Sequence, residues 1–89
     1  MSPRVPLKLR VDWGVAGSAV RFVSRTEDMS AGGMLLATVS PVEVGTRLAL
    51  RIPPVEGGAR SWPIDLEGTV VHRGARGMGV AIDRSIRRS

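Results

Sequence analysis

Glu27-Asp28-Met29-Ser30-Ala31-Gly32-Gly33 lies between Ala19-Val20-Arg21-Phe22-Val23 and Met34-Leu35-Leu36-Ala37-Thr38. The flanks are short runs with apolar alternation or continuous apolarity and read as strands. The polar stretch between them reads as the bend that joins them. An acid, a hydroxyl and two glycines fall together at that bend. The Asp28 carboxylate can accept from N–H donors, and the Ser30 hydroxyl can donate or accept. Gly32 and Gly33 are expected to give the backbone access to left-handed angles and to close approach of another molecule. This is the chemistry of a small polar binding site. It is equally that of a hairpin turn, which also uses Asp, Ser and Gly.

Outward from the bend the same two-residue period continues. Val5 to Trp13 places apolar residues at every odd position and Pro, Lys, Arg and Asp at the even ones, a strand with one wet face. Gly14 to Ser18 is expected to turn the chain. Ala19 to Arg25 forms the next strand, with Val20 and Phe22 inward and Arg21 and Arg25 outward. Beyond Met34 to Thr38, the Pro- and Gly-punctuated segment Ser40 to Gly45 leads into a strand over Thr46 to Ile52. Pro53-Pro54 stops it. Trp62 to Arg73 then runs as a long strand whose even positions Trp62, Ile64, Leu66 and Val70 face inward, with a bulge or bend expected at Gly68. Met78, Val80 and Ile82 form the inward row of a last strand, and the tail from Asp83 makes at most a helical turn. Six short strands with turns between them and no helical period predict an all-β sandwich or small barrel. Closure removes exposed edges from so small a β domain.

With 89 residues the chain is expected to fold as one domain around a thin core. Its apolar fraction of 43% is that of a globular chain rather than a disordered one. No apolar run is long enough to span a membrane, and no secretion signal stands at the N-terminus. There is no cysteine, so disulfides and thiolate metal sites are excluded, and a cytoplasmic location is expected. The net charge is +5, and every basic residue except Lys8 is arginine. Arginine suits planar, bidentate recognition of phosphate and guanine, although GC-rich coding also enriches it.

Catalysis finds little material. His72 is the only histidine, and nothing in the spacing brings it to Ser30 and Asp28 as a hydrolytic set would need. One histidine among scattered carboxylates matches no metal-ligand spacing. Nucleic-acid binding is disfavoured because Trp13, Phe22 and Trp62 all have inward parity, which leaves no outward aromatics to stack on bases.

Asp28-x-Ser30-x-x-Gly33 fits the [D/N]xSxxG motif of the PilZ domain, and the surroundings are similar as well. Gly33-Met34-Leu35-Leu36, Val44-Gly45-Thr46-Arg47-Leu48, Gly68-Thr69-Val70-Val71-His72 and Gly77-Met78-Gly79-Val80-Ala81-Ile82 resemble that family's strands in order. The ordering looks especially similar to the short PilZ-like modules of myxobacterial type. The resemblance implies a six-stranded antiparallel PilZ-type β-barrel with little or no helix, filling residues 1–89 with a core from about 4 to 82 and a basic tail from 83 to 89. It implies a non-enzymatic receptor or adaptor that binds cyclic di-GMP and signals to another protein.

The family's site residues carry over by position. An N-terminal arm bears RxxxR, whose guanidinium groups stack on guanine or hold phosphate. Arg4 stands at the second arginine of that motif, and the first would fall just before Met1. Lys8 offers a second base at the same spacing, inside the expected first strand. By the resemblance Asp28 accepts from guanine N–H groups, Ser30 contacts phosphate, Gly33 allows the turn and His72 lies against a base. By its own parity, His72 equally reads as an inward, packed residue. Two other readings stay open. One is a ligand-blind adaptor that works through outward bases such as Arg47 and Arg51. The other is non-specific nucleic-acid binding.

Overall fold

A computed structural model describes residues 8–54, 58 and 62–86. Six strands follow one another, β1 (Arg10–Val15), β2 (Phe22–Ser30), β3 (Gly33–Ala37), β4 (Arg47–Ile52), β5 (Ile64–Gly74) and β6 (Gly77–Ile86). All pairings are antiparallel, and the strands close in the order β1-β2-β3-β6-β5-β4, with β4 returning to β1 through Trp13↔Leu50 and its neighbours. No helix occurs among the described residues. The predicted barrel is therefore the observed one.

Alternation fills its interior. Val11 and Trp13 from β1, Met34 and Leu36 from β3, Leu48, Leu50 and Ile52 from β4, Val70 from β5, and Met78 and Val80 from β6 are all buried. The inward row of β2 differs, since it runs Phe22, Ser24, Thr26. Its polar members are matched rather than stranded. The Trp13 indole Nε1–H donates to Ser24 Oγ at 2.9 Å, and the Leu9 amide donates to Thr26 Oγ1 at 2.9 Å. Phe22 stacks on Trp13 with ring centroids 4.7 Å apart. A buried indole thus reaches a partner, which its burial would otherwise make costly.

Element bounds differ from the expected ones for local reasons. The first strand passes through Gly14 and ends at Val15, because the turn is set by Gly17 at φ 87°. The expected start at Val5 lies outside the described residues, and Lys8 and Leu9 precede β1 rather than belonging to it. The second strand begins at Phe22 and runs on to Ser30, because pairing with β3 continues to Ser30↔Gly33. The bend is only Ala31-Gly32, so Asp28 and Ser30 are strand residues. The last strand passes Ile82 and reaches Ile86, paired to Asp65, so the segment from Asp83 is not a separate tail up to that point. Trp62 precedes β5 and is exposed, since strand parity does not reach it. Phe22 keeps its inward parity but sits at the barrel end, 40% exposed.

The Trp13–Ser24 bond yields a direct test. Ser24→Ala removes the acceptor and leaves the indole donor of a fully buried Trp13 without a partner. Urea denaturation should show a loss of about 1–3 kcal/mol with an unchanged slope.

Candidate functional site

Three one-residue register shifts decide which side chains face outward. In β2 the partners of Thr26 and Asp28 are Leu36 and Leu35, so Glu27 is an extra residue opposite nothing. Thr26 is buried, and strict alternation would have turned Asp28 inward with it. The bulge instead delivers Asp28 to the outer surface, followed two residues later by Ser30. In β5 the partners of Val70 and His72 are Val80 and Gly79, so Val71 is extra and His72 also turns outward. The inward parity read for His72 from alternation is corrected by that bulge. The third shift lies between Glu67 and Gly68, where a bend was expected; the extra residue is Asp83 on the partner strand.

The result is two transverse rows on one outer face. Asp28 of β2 is level with Leu35 of β3, Gly79 of β6 and His72 of β5. Ser30 is level with Gly33, Ala81 and Thr69 on the same four strands. Adjacent strands lie about 4.8 Å apart, so each row spans roughly 14 Å along the sheet, and Asp28 and Ser30 are separated by roughly 7 Å along β2. Between the ends lie Leu35 and Gly79 in one row and Gly33 and Ala81 in the other. Polar groups stand at the ends.

Two glycines are required by close packing. An ideal Cβ on Gly33 would meet the Val80 carbonyl oxygen at 2.6 Å, so only glycine lets β3 approach β6 here. Neither Gly32 nor Gly33 has a positive φ, which corrects the left-handed role expected for them. A Cβ on Gly79 would run into the His72 ring, whose Cδ2 lies 2.5 Å away. The imidazole therefore covers the outer side of Gly79 and forms part of this face. Gly79, Leu35, Ala81 and Thr69 were not singled out from sequence. A signal existed for Gly79, since it is the outward residue between inward Met78 and Val80.

The face brings Asp28, Ser30, Gly33 and His72 together. It does not assemble a hydrolytic relay, because Leu35 and Gly79 stand between Asp28 and His72. Arg4 lies outside the described residues. Lys8, the nearest described base to it in sequence, pairs with Glu27 of the bulge at 3.6 Å. The Leu9 carbonyl also accepts from the Thr26 amide at 2.9 Å. The chain before β1 is thus anchored beside the bulge that presents Asp28.

Outward carboxylates next to the face are engaged by arginine. Arg47 reaches Glu67 at 3.0 Å and Asp83 at 3.1 Å, and the Thr69 hydroxyl donates to Asp83 at 2.9 Å. Arg51 pairs with Asp65 at 2.7 Å. The hydrogen bond that Arg51 donates to Asp65, and then the charge of that carboxylate, raise the Arg51 pKa above the usual guanidinium value. No helix among the described residues is long and apolar enough to cross a membrane.

Solved structures share this barrel. The PilZ domain of CeSA from a cellulose synthesizing bacterium is 22% identical, with a TM-score of 0.70 over 99% of this chain and 84% of that one. The Bacillus subtilis inhibitor of motility, MotI/DgrA, is 16% identical with a TM-score of 0.74, over 96% of this chain and 43% of that one. This chain therefore spans less than half of MotI/DgrA. At these identities the likeness speaks for the fold alone. No curated protein matches in sequence. The sequence pattern of the PilZ domain matches residues 1–89. PilZ domains are non-catalytic modules and typically receptors for cyclic di-GMP. On the match over its whole length, this chain belongs to the PilZ domain family.

Proposed function

We propose that this barrel is a cyclic di-GMP receptor that holds the nucleotide on the outer face of β2, β3, β6 and β5 and passes the signal to a partner protein. The observation that carries the reading is the gathering of Asp28, Ser30, Gly33 and His72 on that one face by two independent bulges. A guanine edge offers N–H donors that suit the Asp28 carboxylate, and a phosphate oxygen suits the Ser30 hydroxyl. The His72 ring over Gly79 offers a surface for a base. Gly33 and Ala81 carry little side chain, so a planar ligand can approach the backbone between Ser30 and Thr69. Arg4 is four residues before Lys8, a reach of up to ~13 Å in extended chain, so it can close over the same face. Binding that orders this arm would alter the surface a partner meets.

The competing reading is a ligand-blind adaptor. It is favoured by the arm itself, where the base at RxxxR spacing from Arg4 is a lysine already paired with Glu27. A lysine cannot stack flat as arginine does. Calorimetry with cyclic di-GMP separates the two. The receptor reading expects saturable heat, a loss of about ten- to hundredfold in affinity for Asp28→Ala, and loss of signal for Arg4→Ala. Absence of both heat and thermal shift at high ligand concentration leaves the adaptor.

A second measurement probes this face. His72→Ala and Gly79→Ala should weaken cyclic di-GMP by similar factors, because the added Cβ expels the ring that the first variant deletes. Their effects in the double variant should overlap instead of adding. Full additivity in the thermodynamic cycle would show that the ring is not part of the site.

A further inference from the structure

The described cationic side chains fall into two sets. Lys8, Arg10, Arg47, Arg51 and Arg73 each lie within 3.6 Å of a carboxylate. Arg21, Arg25 and Arg76 are exposed and have no ion pair or hydrogen bond from their side chains among the described residues. These three surround one residue. Val23 lies midway between Arg21 and Arg25 on the outward row of β2, and it shares with Arg76 a hollow of about 470 Å³ bounded by Thr38, Val39 and Ser40. On its other side a groove of about 510 Å³ runs over β1 and β4 past Asp12, Ala49 and Arg51. Gly14 lets Arg21 lie across β1, since a Cβ there would come within 3.3 Å of its Cδ.

The strip is also apolar where a surface strand need not be. Val20 is 59% exposed, Val23 62% and Val39 100%. Two grooves flank Val23, so a partner can seat side chains on either side of it. Exposed apolar residues ringed by uncompensated charge of one sign are the make-up of an interface core with a charged rim. All six strands have two neighbours, so a partner finds no free edge strand; at this strip, only the short stretch Phe22–Ser24 pairs on one side, with β1. Side chains therefore supply most of what can hold a partner. Stacked bases find no platform, as Phe22, the aromatic nearest the strip, is already stacked on Trp13.

We propose that Arg21, Val23, Arg25 and Arg76 form a docking surface for an acidic amphipathic helix of a partner protein. Arg21 lies just before β2 and Arg25 within it, a separation of up to about 13 Å. Carboxylates eight residues apart on one helix face span about 12 Å and match that separation, with apolar residues between them directed at Val23 and the two grooves. Exposed ion pairs contribute little alone, so the apolar contacts supply the affinity while the arginines set orientation and association rate. This surface replaces Arg47 and Arg51 as the outward bases a partner would use, because those two are committed to Glu67, Asp83 and Asp65. It occupies the first half of β2, before the Glu27 bulge, and does not require ligand on the second half.

The test uses the full chain and a synthetic helical peptide with glutamates eight residues apart flanking leucines on one face. Amide chemical shifts should move saturably at Arg21 to Arg25, Val39 and Arg76. Arg21→Glu with Arg25→Glu should weaken the peptide at least tenfold, and a peptide with lysine in place of the glutamates should bind that variant. The double variant should melt near the parent, as neither arginine loses a described partner; if it does not, Arg21→Gln with Arg25→Gln carries the comparison. Equal binding of a glutamine-substituted peptide, shifts confined to other surfaces, or no saturable shift would overturn the proposal. So would an oligo-dT strand that moves these residues when the peptide does not.

Discussion

One extra residue in β2 governs what this barrel can present. A strand's side chains alternate, so its faces are set once the first pairing is made, and only an insertion can change them. Glu27 is that insertion. Before it, β2 turns Ser24 and Thr26 inward, where they accept from Trp13 and Leu9. After it, Met29 pairs with Met34 in the interior and Asp28 and Ser30 face out. Without the bulge, Asp28 would be driven toward a core made of Val11, Trp13, Met34 and Leu36. An unpaired carboxylate there would be heavily penalised. The same device in β5 brings His72 out opposite Gly79. Two bulges on strands separated by β3 and β6 therefore aim polar groups at one outer face.

Much of the fold was legible because alternation is a strong signal over short strands. Val11 with Trp13, Leu48 with Leu50 and Ile52, and Met78 with Val80 were all read as inward and are buried. The motif spacing also located Asp28, Ser30 and Gly33. What alternation cannot express is a change of phase, and each substantive correction arises there or at a strand end. His72 reads as inward until Val71 is skipped. Trp62 reads as inward until the strand is found to begin at Ile64. Asp28 and Ser30 read as a turn because Asp, Ser and Gly are turn residues, yet the ladder to β3 extends through them. Local propensity was overridden by pairing. Gly33 lacks the left-handed angle read for it; what requires glycine there is the Val80 carbonyl at close range.

The charge distribution, unlike the strand pattern, became interpretable only in three dimensions. Arg21-x-x-x-Arg25 and the scattered arginines are equivalent in one dimension. In the barrel, cross-strand register hands Arg51 to Asp65 and Arg47 to Glu67, residues 14 and 20 positions apart. Arg10 is satisfied by Asp12 two residues along its own strand. The register opposite Arg21, Val23 and Arg25 supplies no free acid. Arg25 faces Arg10, and Val23 faces an Asp12 already held by Arg10. Like charges on neighbouring strands are unfavourable when directly opposed. The composition sets the surplus of positive charge, and the register decides that it falls on this strip.

These constraints also limit how such a barrel can transmit anything. Each strand has a partner on both sides along most of its length, and buried side chains from the strands fill the interior of the closed barrel. A packed, closed ladder resists continuous deformation. Just before β1, Lys8 and Leu9 are held against Glu27 and Thr26, at the boundary between the two halves of β2. The Lys8–Glu27 contact is exposed and, at 3.6 Å, weak, so it is readily exchanged for another partner beside Asp28.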